Sequence, residues 1–232
     1  MKKFELTAEF VTNVFGKKLF RIKALVAFGD VEKGELGGFI EKEGNLSHDG
    51  NAWVSGNAQV SGDARVSGDA RVYGNAWVSG NAWVSGNAWV SGNAQVSGDA
   101  RVYGNAWVSG NARVSGDARV YGNAQVSGDA RVYGNAQVSG DARVYGNAWV
   151  SGNADFSVVE GFGRYFRATT FFRCKDKILR VQCGCFYGDL AQFREIVKKT
   201  HGDSKYAKEY LAIADLMELH FSDEEEKQEA VE

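Results

Sequence analysis

The 232-residue sequence contains no proline, only three cysteines and only three histidines. No apolar run approaches the roughly 18 residues that a membrane-spanning helix needs, so no such helix and no membrane partner are expected. The amino terminus, Met1-Lys2-Lys3-Phe4-Glu5-Leu6, turns polar at once and lacks the apolar core of a signal peptide. Three cysteines cannot all pair with one another, so no disulfide framework is expected, and the expected setting is a reducing cytoplasm. An excess of one charge sign is missing too: 27 Lys and Arg stand against 29 Asp and Glu. Duplex binders carry a net basic stripe and DNA mimics are strongly acidic, and the sequence has neither character. With hydrophobic residues at 44% it is not a disordered composition either.

What is abundant is glycine, 29 residues, and much of it lies in a repeat. Val54 recurs at every sixth position through Val150, and Phe156 takes the next slot. The unit reads Gly-(Asn/Asp)-Ala-x-Val-(Ser/Tyr). Ala and Val are two apart, so both face one side of a short strand, while x and Ser/Tyr face the other. Gly-Asn and Gly-Asp are turn dipeptides that tolerate positive φ. A single such strand cannot bury its face, but a stack of them can.

The pattern Val-(Ser/Tyr)-Gly-(Asn/Asp)-Ala-x resembles the hexapeptide-repeat left-handed β-helix family. That resemblance implies three hexads per triangular coil, hence about six coils, roughly 25–30 Å tall at about 4.8 Å per strand. A flatter two-sided solenoid with twelve residues per coil is the alternative, because several blocks repeat at twelve.

The expected fold is therefore mainly β, with four segments. Residues 1–50 form an N-terminal β-hairpin cap and an irregular first coil. Residues 51–157 form the β-solenoid, 158–221 a small ββαα module, and 222–232 an acidic, solvated tail. The hairpin strands alternate at Phe4, Leu6, Ala8, Phe10 and at Phe20, Ile22, Ala24, Val26, Phe28. Ile40 and Leu46 keep the six-residue step, but Leu46 to Val54 is eight, so two residues bulge. In the module, Tyr165 to Cys174 and Ile178 to Cys185 read as a hairpin around Lys175-Asp176-Lys177. Asp189 with Gln192 makes a capping box for a helix whose stripe is Leu190, Phe193, Ile196 and Val197 and which ends at His201-Gly202. Ser204 caps a second helix with Tyr206, Tyr210, Ile213 and Met217 on one face.

Many hexapeptide β-helix proteins are acyltransferases in which a histidine serves as general base. The histidines here are His48, His201 and His220, and none lies within the repeat. The three zinc-binding histidines of the carbonic-anhydrase branch are missing as well. Ice binding relies on rows of threonine, and the repeat contains none. An enzyme is thus not expected, and no cofactor. Cys174, Cys183, Cys185 and His201 could in principle form a Cys3His zinc site, since Cys183 and Cys185 would share a strand face. Plain burial of small thiols is the favoured reading.

The outward ladder carries the functional signal. All six tryptophans occupy position x: Trp53, Trp77, Trp83, Trp89, Trp107 and Trp149. An eighteen-residue coil stacks 53, 71, 89, 107, 125 and 143 in one column, 59 to 149 in a second and 65 to 155 in a third. Arg71 then lies between Trp53 and Trp89, and Arg101 follows Trp83, an arrangement suited to cation–π stacking. With Tyr73 and Tyr103 these residues either stabilise by stacking the coil on which they stand, or form a surface for a partner.

The layout also resembles an uncharacterised class of repeat-rich proteins of bacteria and their phages. The resembling segments are Phe28-Gly29-Asp30-Val31-Glu32-Lys33-Gly34, Leu36-Gly37-Gly38-Phe39-Ile40-Glu41-Lys42, Cys183-Gly184-Cys185-Phe186 and Thr200-His201-Gly202-Asp203. The expected function is a non-enzymatic binding or scaffolding protein of phage or prophage type, in which the solenoid is a rigid spacer or oligomerisation surface and the ββαα module carries the specific contact; a homo-oligomer, a trimer or a dimer, is expected. The alternatives are a phage protein that sequesters a host signalling nucleotide or inhibits a host protein, and, last, an acyltransferase.

Overall fold

The computed structural model describes residues 1–222. The chain forms two compact units, Met1–Gly152 and Asn153 onward. The acidic segment expected over 222–232 lies, apart from Ser222, outside the described residues.

In the first unit an antiparallel hairpin of β1 (Phe4–Thr12) and β2 (Lys18–Ala24) leads to β3 (Leu36–Ile40), which pairs with β2. Phe28, expected to extend the second strand, instead bridges to Val31. Seventeen two-residue strands follow, β4 (Trp53–Val54) to β20 (Trp149–Val150), one per hexad. Each of β4 to β17 pairs in parallel with the strand eighteen residues on, as Trp89 with Trp107 and Val90 with Val108. Every third strand therefore shares a sheet, and the coil has three sides. This pairing excludes the twelve-residue coil. It also fixes the bulge: Ile40 pairs with Val60 and Leu46 with Val66, twenty residues apart rather than eighteen.

The interior follows from side-chain size. The repeat alanines and valines from Ala52 to Val150 are fully buried, with only Val66 showing a trace of exposure. Two small residues per side suit a narrow, close-packed shaft. The corners follow from backbone geometry. Gly92 sits at φ +67, and a Cβ there would lie 3.0 Å from the Gly110 carbonyl oxygen of the next coil. The corner thus demands both left-handed backbone and the absence of a side chain.

The second unit differs from the expected ββαα. Four strands form an antiparallel sheet, β21 (Phe156–Val159), β22 (Thr169–Arg173), β23 (Leu179–Cys183) and β24 (Phe186–Asp189). Phe156, the last step of the six-residue rhythm, pairs with Phe172 and belongs to this sheet rather than to the solenoid. The turn at Lys175-Asp176-Lys177 forms as expected, but the strand before it begins only at Thr169, leaving Tyr165 and Phe166 exposed. Helices α1 (Leu190–His201) and α2 (Lys205–Phe221) cover the sheet. Both caps form: Asp189 and Gln192 make the capping box, and the Ser204 hydroxyl accepts from Ala207 N–H. Phe193, Tyr210, Ile213 and Met217 meet Phe171 and Val181 in the core, whereas Ile196 remains partly exposed.

Candidate interaction surface of the solenoid

Backbone polarity sets the two ends of the coil stack apart. Each N–H along the ladder points to the following coil, as Trp89 N–H to Ala106 C=O at 2.9 Å and Ser91 N–H to Val108 C=O at 2.9 Å. The first regular coil consequently presents carbonyls that no preceding coil can satisfy. Its own N-terminal segment satisfies them. Lys3 Nζ donates to Gly50 O and Ala52 O, at 3.2 and 3.0 Å. Asn45 Nδ2 donates to Gly62 O and Ala64 O, at 3.0 and 2.8 Å. Backbone N–H groups of Phe39, Glu41 and Ser47 serve Ala58, Val60 and Val66.

The position-x side chains stand in the expected columns. One face carries Trp53, Arg71, Trp89, Trp107, Gln125 and Arg143 on β4, β7, β10, β13, β16 and β19. The second carries Gln59, Trp77, Gln95, Arg113, Arg131 and Trp149. The third carries Arg65, Trp83, Arg101, Arg119 and Gln137, and ends there because Asp155 lies in a short 3-10 turn.

The neighbours within the columns interact differently from expectation. Three indoles are openly exposed rather than six: Trp83, Trp89 and Trp107, at 45, 44 and 43%. Trp53 is 2% exposed, packed edge-on under Phe28 at 5.4 Å, because the N-terminal segment folds across its column. No acceptor reaches its buried indole N–H among the described residues. Arg71 pairs with Asp30 of that same segment instead of stacking between two tryptophans. Trp89 meets Trp107 at 5.7 Å and Tyr73 at 5.9 Å, both edge-on, as aromatic quadrupoles prefer. Trp83 donates its N–H to the Ser67 hydroxyl at 3.2 Å. Tyr103 stacks face to face on Tyr121 at 5.0 Å. Within the solenoid, cation–π stacking is seen for Arg131 over Trp149, at 5.6 Å. Trp77 and Trp149 are half-buried.

The corner carboxylates have partners of their own. Asn51, Asn81, Asn111 and Asn123 donate to Asp69, Asp99, Asp129 and Asp141 of the next coil. Arg101 and Arg119 are direct register neighbours, and with Trp83 and Tyr103 they border a shallow hollow of about 230 Å³. The first face thus exposes the Trp89 and Trp107 edges, and the third exposes Trp83 with the guanidinium groups of Arg101 and Arg119. This clustering could be anticipated from the eighteen-residue stacking. The burial of Trp53 and Arg71 could not, because it depends on where residues 28–31 fold.

The zinc constellation does not assemble. Cys183 pairs in register with Phe186, so Gly184 and Cys185 form the two-residue turn between β23 and β24, and Cys185 points to solvent. Cys183 lies opposite Thr169, whereas Cys174 follows Arg173 at the far end of the same hairpin, about 17 Å away at strand rise. Burial pushes the Cys174 thiol pKa up, consistent with an inert core thiol. Among the described residues no group of three metal-binding side chains exists.

The coiled segment also has a counterpart among known families. Residues 52–160 match the family described as Bactofilin: polymer-forming cytoskeletal. The match covers the solenoid and a little under half the chain. No curated protein matches the chain significantly. Among the described residues no helix is long and apolar enough to cross a membrane.

Proposed function

We propose that the chain is a non-enzymatic scaffold that self-associates through the aromatic faces of its solenoid. The observation that carries this reading is the exposed Trp89–Trp107 pair, flanked by Tyr73 on one flat side. Trp is rare on free surfaces and enriched where proteins meet. The match of this segment to a polymer-forming family supports the same reading. Neither that match nor the geometry favours the phage, nucleotide-sequestering or acyltransferase readings. A trimer and a dimer remain the two assemblies the three-sided coil accommodates most simply.

Gln already occupies position x at residues 59, 95, 125 and 137, so Trp89→Gln with Trp107→Gln stays within the repeat's own vocabulary and should leave the fold intact. Sedimentation velocity should show the wild type above monomer mass and the double variant shifted toward monomer, with unchanged circular dichroism. A wild type that stays monomeric at high concentration would sink the proposal.

A further inference from the structure

The second unit contains a hollow of about 220 Å³ that the scaffold reading leaves unused. Its floor is apolar: Phe186, Phe193, Val197 and the ring of Tyr210. Its rim carries Arg164, Arg167 and His201. The loop of residues 160–168 forms one wall, and several features fix it there. Gly163, at φ +71, presses so closely on Tyr210 that a Cβ would overlap the ring, and its N–H donates to Glu209 at 2.9 Å. Phe166 is held at φ +52, a conformation that costs a non-glycine residue about 1–3 kcal/mol. Arg167 crosses Gly184, where a Cβ would lie 3.0 Å from its Nη1.

The two guanidiniums have no carboxylate partner among the described residues. Both lie against the Tyr165 ring, at 5.5 and 4.9 Å. The nearby Glu209 is taken by Gly163 N–H and by Lys205. The C-terminus of α1 opposes an anion with about half a charge, which two full positive charges outweigh. A strained loop that brings two unpaired arginines to the mouth of an apolar hollow is a construction for binding.

We propose that this hollow binds a small aromatic anion, a single ring bearing a carboxylate or a phosphate. A dry apolar cavity of about 150 Å³ holds one benzene ring, so 220 Å³ leaves room for a ring and one charged group. The ring would lie on Phe193 and Val197, and the anion would meet the Arg164 and Arg167 forks, which suit planar carboxylates and phosphates. The Tyr210 hydroxyl stays protonated at the floor: burial first, then Cys183, pushes its pKa up to about 12.

Titration of the full chain with phenyl phosphate and, separately, sodium benzoate, followed by ligand-observed NMR, tests this. At least one probe should bind saturably, about tenfold or more tighter than both inorganic phosphate and benzyl alcohol. Whichever of the two binds more tightly identifies the anion as phosphate or carboxylate. Arg164→Gln with Arg167→Gln should weaken binding about tenfold or more, whereas Lys33→Gln, at an exposed cation of the first unit, should not change it. Three results would overturn the proposal: no saturable binding of either probe, equal binding of inorganic phosphate, or an unaffected Arg164→Gln/Arg167→Gln variant. Both arginines are exposed, so the variants should fold, and circular dichroism confirms it.

Discussion

On the β4 side of the first regular coil, one lysine side chain takes the place of the neighbouring strand that every later coil possesses. Lys3 is buried, with its ammonium on two carbonyls and 4.6 Å from the Phe28 ring. Burial, and secondarily the Arg71 charge, brings its pKa from 10.5 down to about 8. A base whose pKa is lower folded than unfolded binds fewer protons in the folded chain between those two values. Its contribution to stability therefore rises as pH climbs from about 8 to about 10.5, and is level below about 8. Urea unfolding of wild type and Lys3→Met across this range should show the rise in the wild type relative to the variant. Parallel pH profiles for the two would contradict the assignment. Nothing in the sequence around Lys3 announces this role, because its acceptors lie 47 and 49 residues away.

At the scale of elements, the hexad was legible because three independent constraints coincide in six residues. The corner needs a glycine, the shaft needs Ala and Val, and the outer side accepts anything from Trp to Arg. Substituting Gly92 by Ala breaks the first constraint alone. It should cost about 1–3 kcal/mol in chemical denaturation, since the new Cβ meets both a disfavoured φ and the Gly110 backbone. Both helices were equally legible, from Asp189, Gln192 and Ser204 at their starts. The first and last strands of the second sheet were not. β21 was hidden because Phe156 continues the six-residue rhythm into a different fold, and β24 because its hairpin turn is only Gly184-Cys185. The reading of Cys183 and Cys185 as strand neighbours failed for the same reason. In the candidate surface, the columns were legible from periodicity, whereas exposure was decided by the distant contacts of Phe28 and Asp30.

For the whole molecule, repeat architecture makes stability nearly a sum over coils. Deleting residues 109–126 removes one full coil and no tryptophan. That variant should keep its β signature and unfold cooperatively with modestly reduced stability. Deleting only 109–111 should be far more damaging, because it removes a corner and breaks the alignment of Ala and Val toward the shaft. Thermal melts of the two variants by circular dichroism compare them directly; comparable losses would mean that the coils do not depend on hexad phase.

The register of eighteen also gives the molecule an arithmetic of inheritance. One hexad gained or lost leaves the shaft intact, but it carries every later side chain to the next face and so reshuffles which aromatic residues are neighbours. Three hexads gained or lost return each column to itself. A lineage that lengthens this chain could therefore keep its fold at any multiple of six, but it would keep its outer pattern only when the count changes by threes.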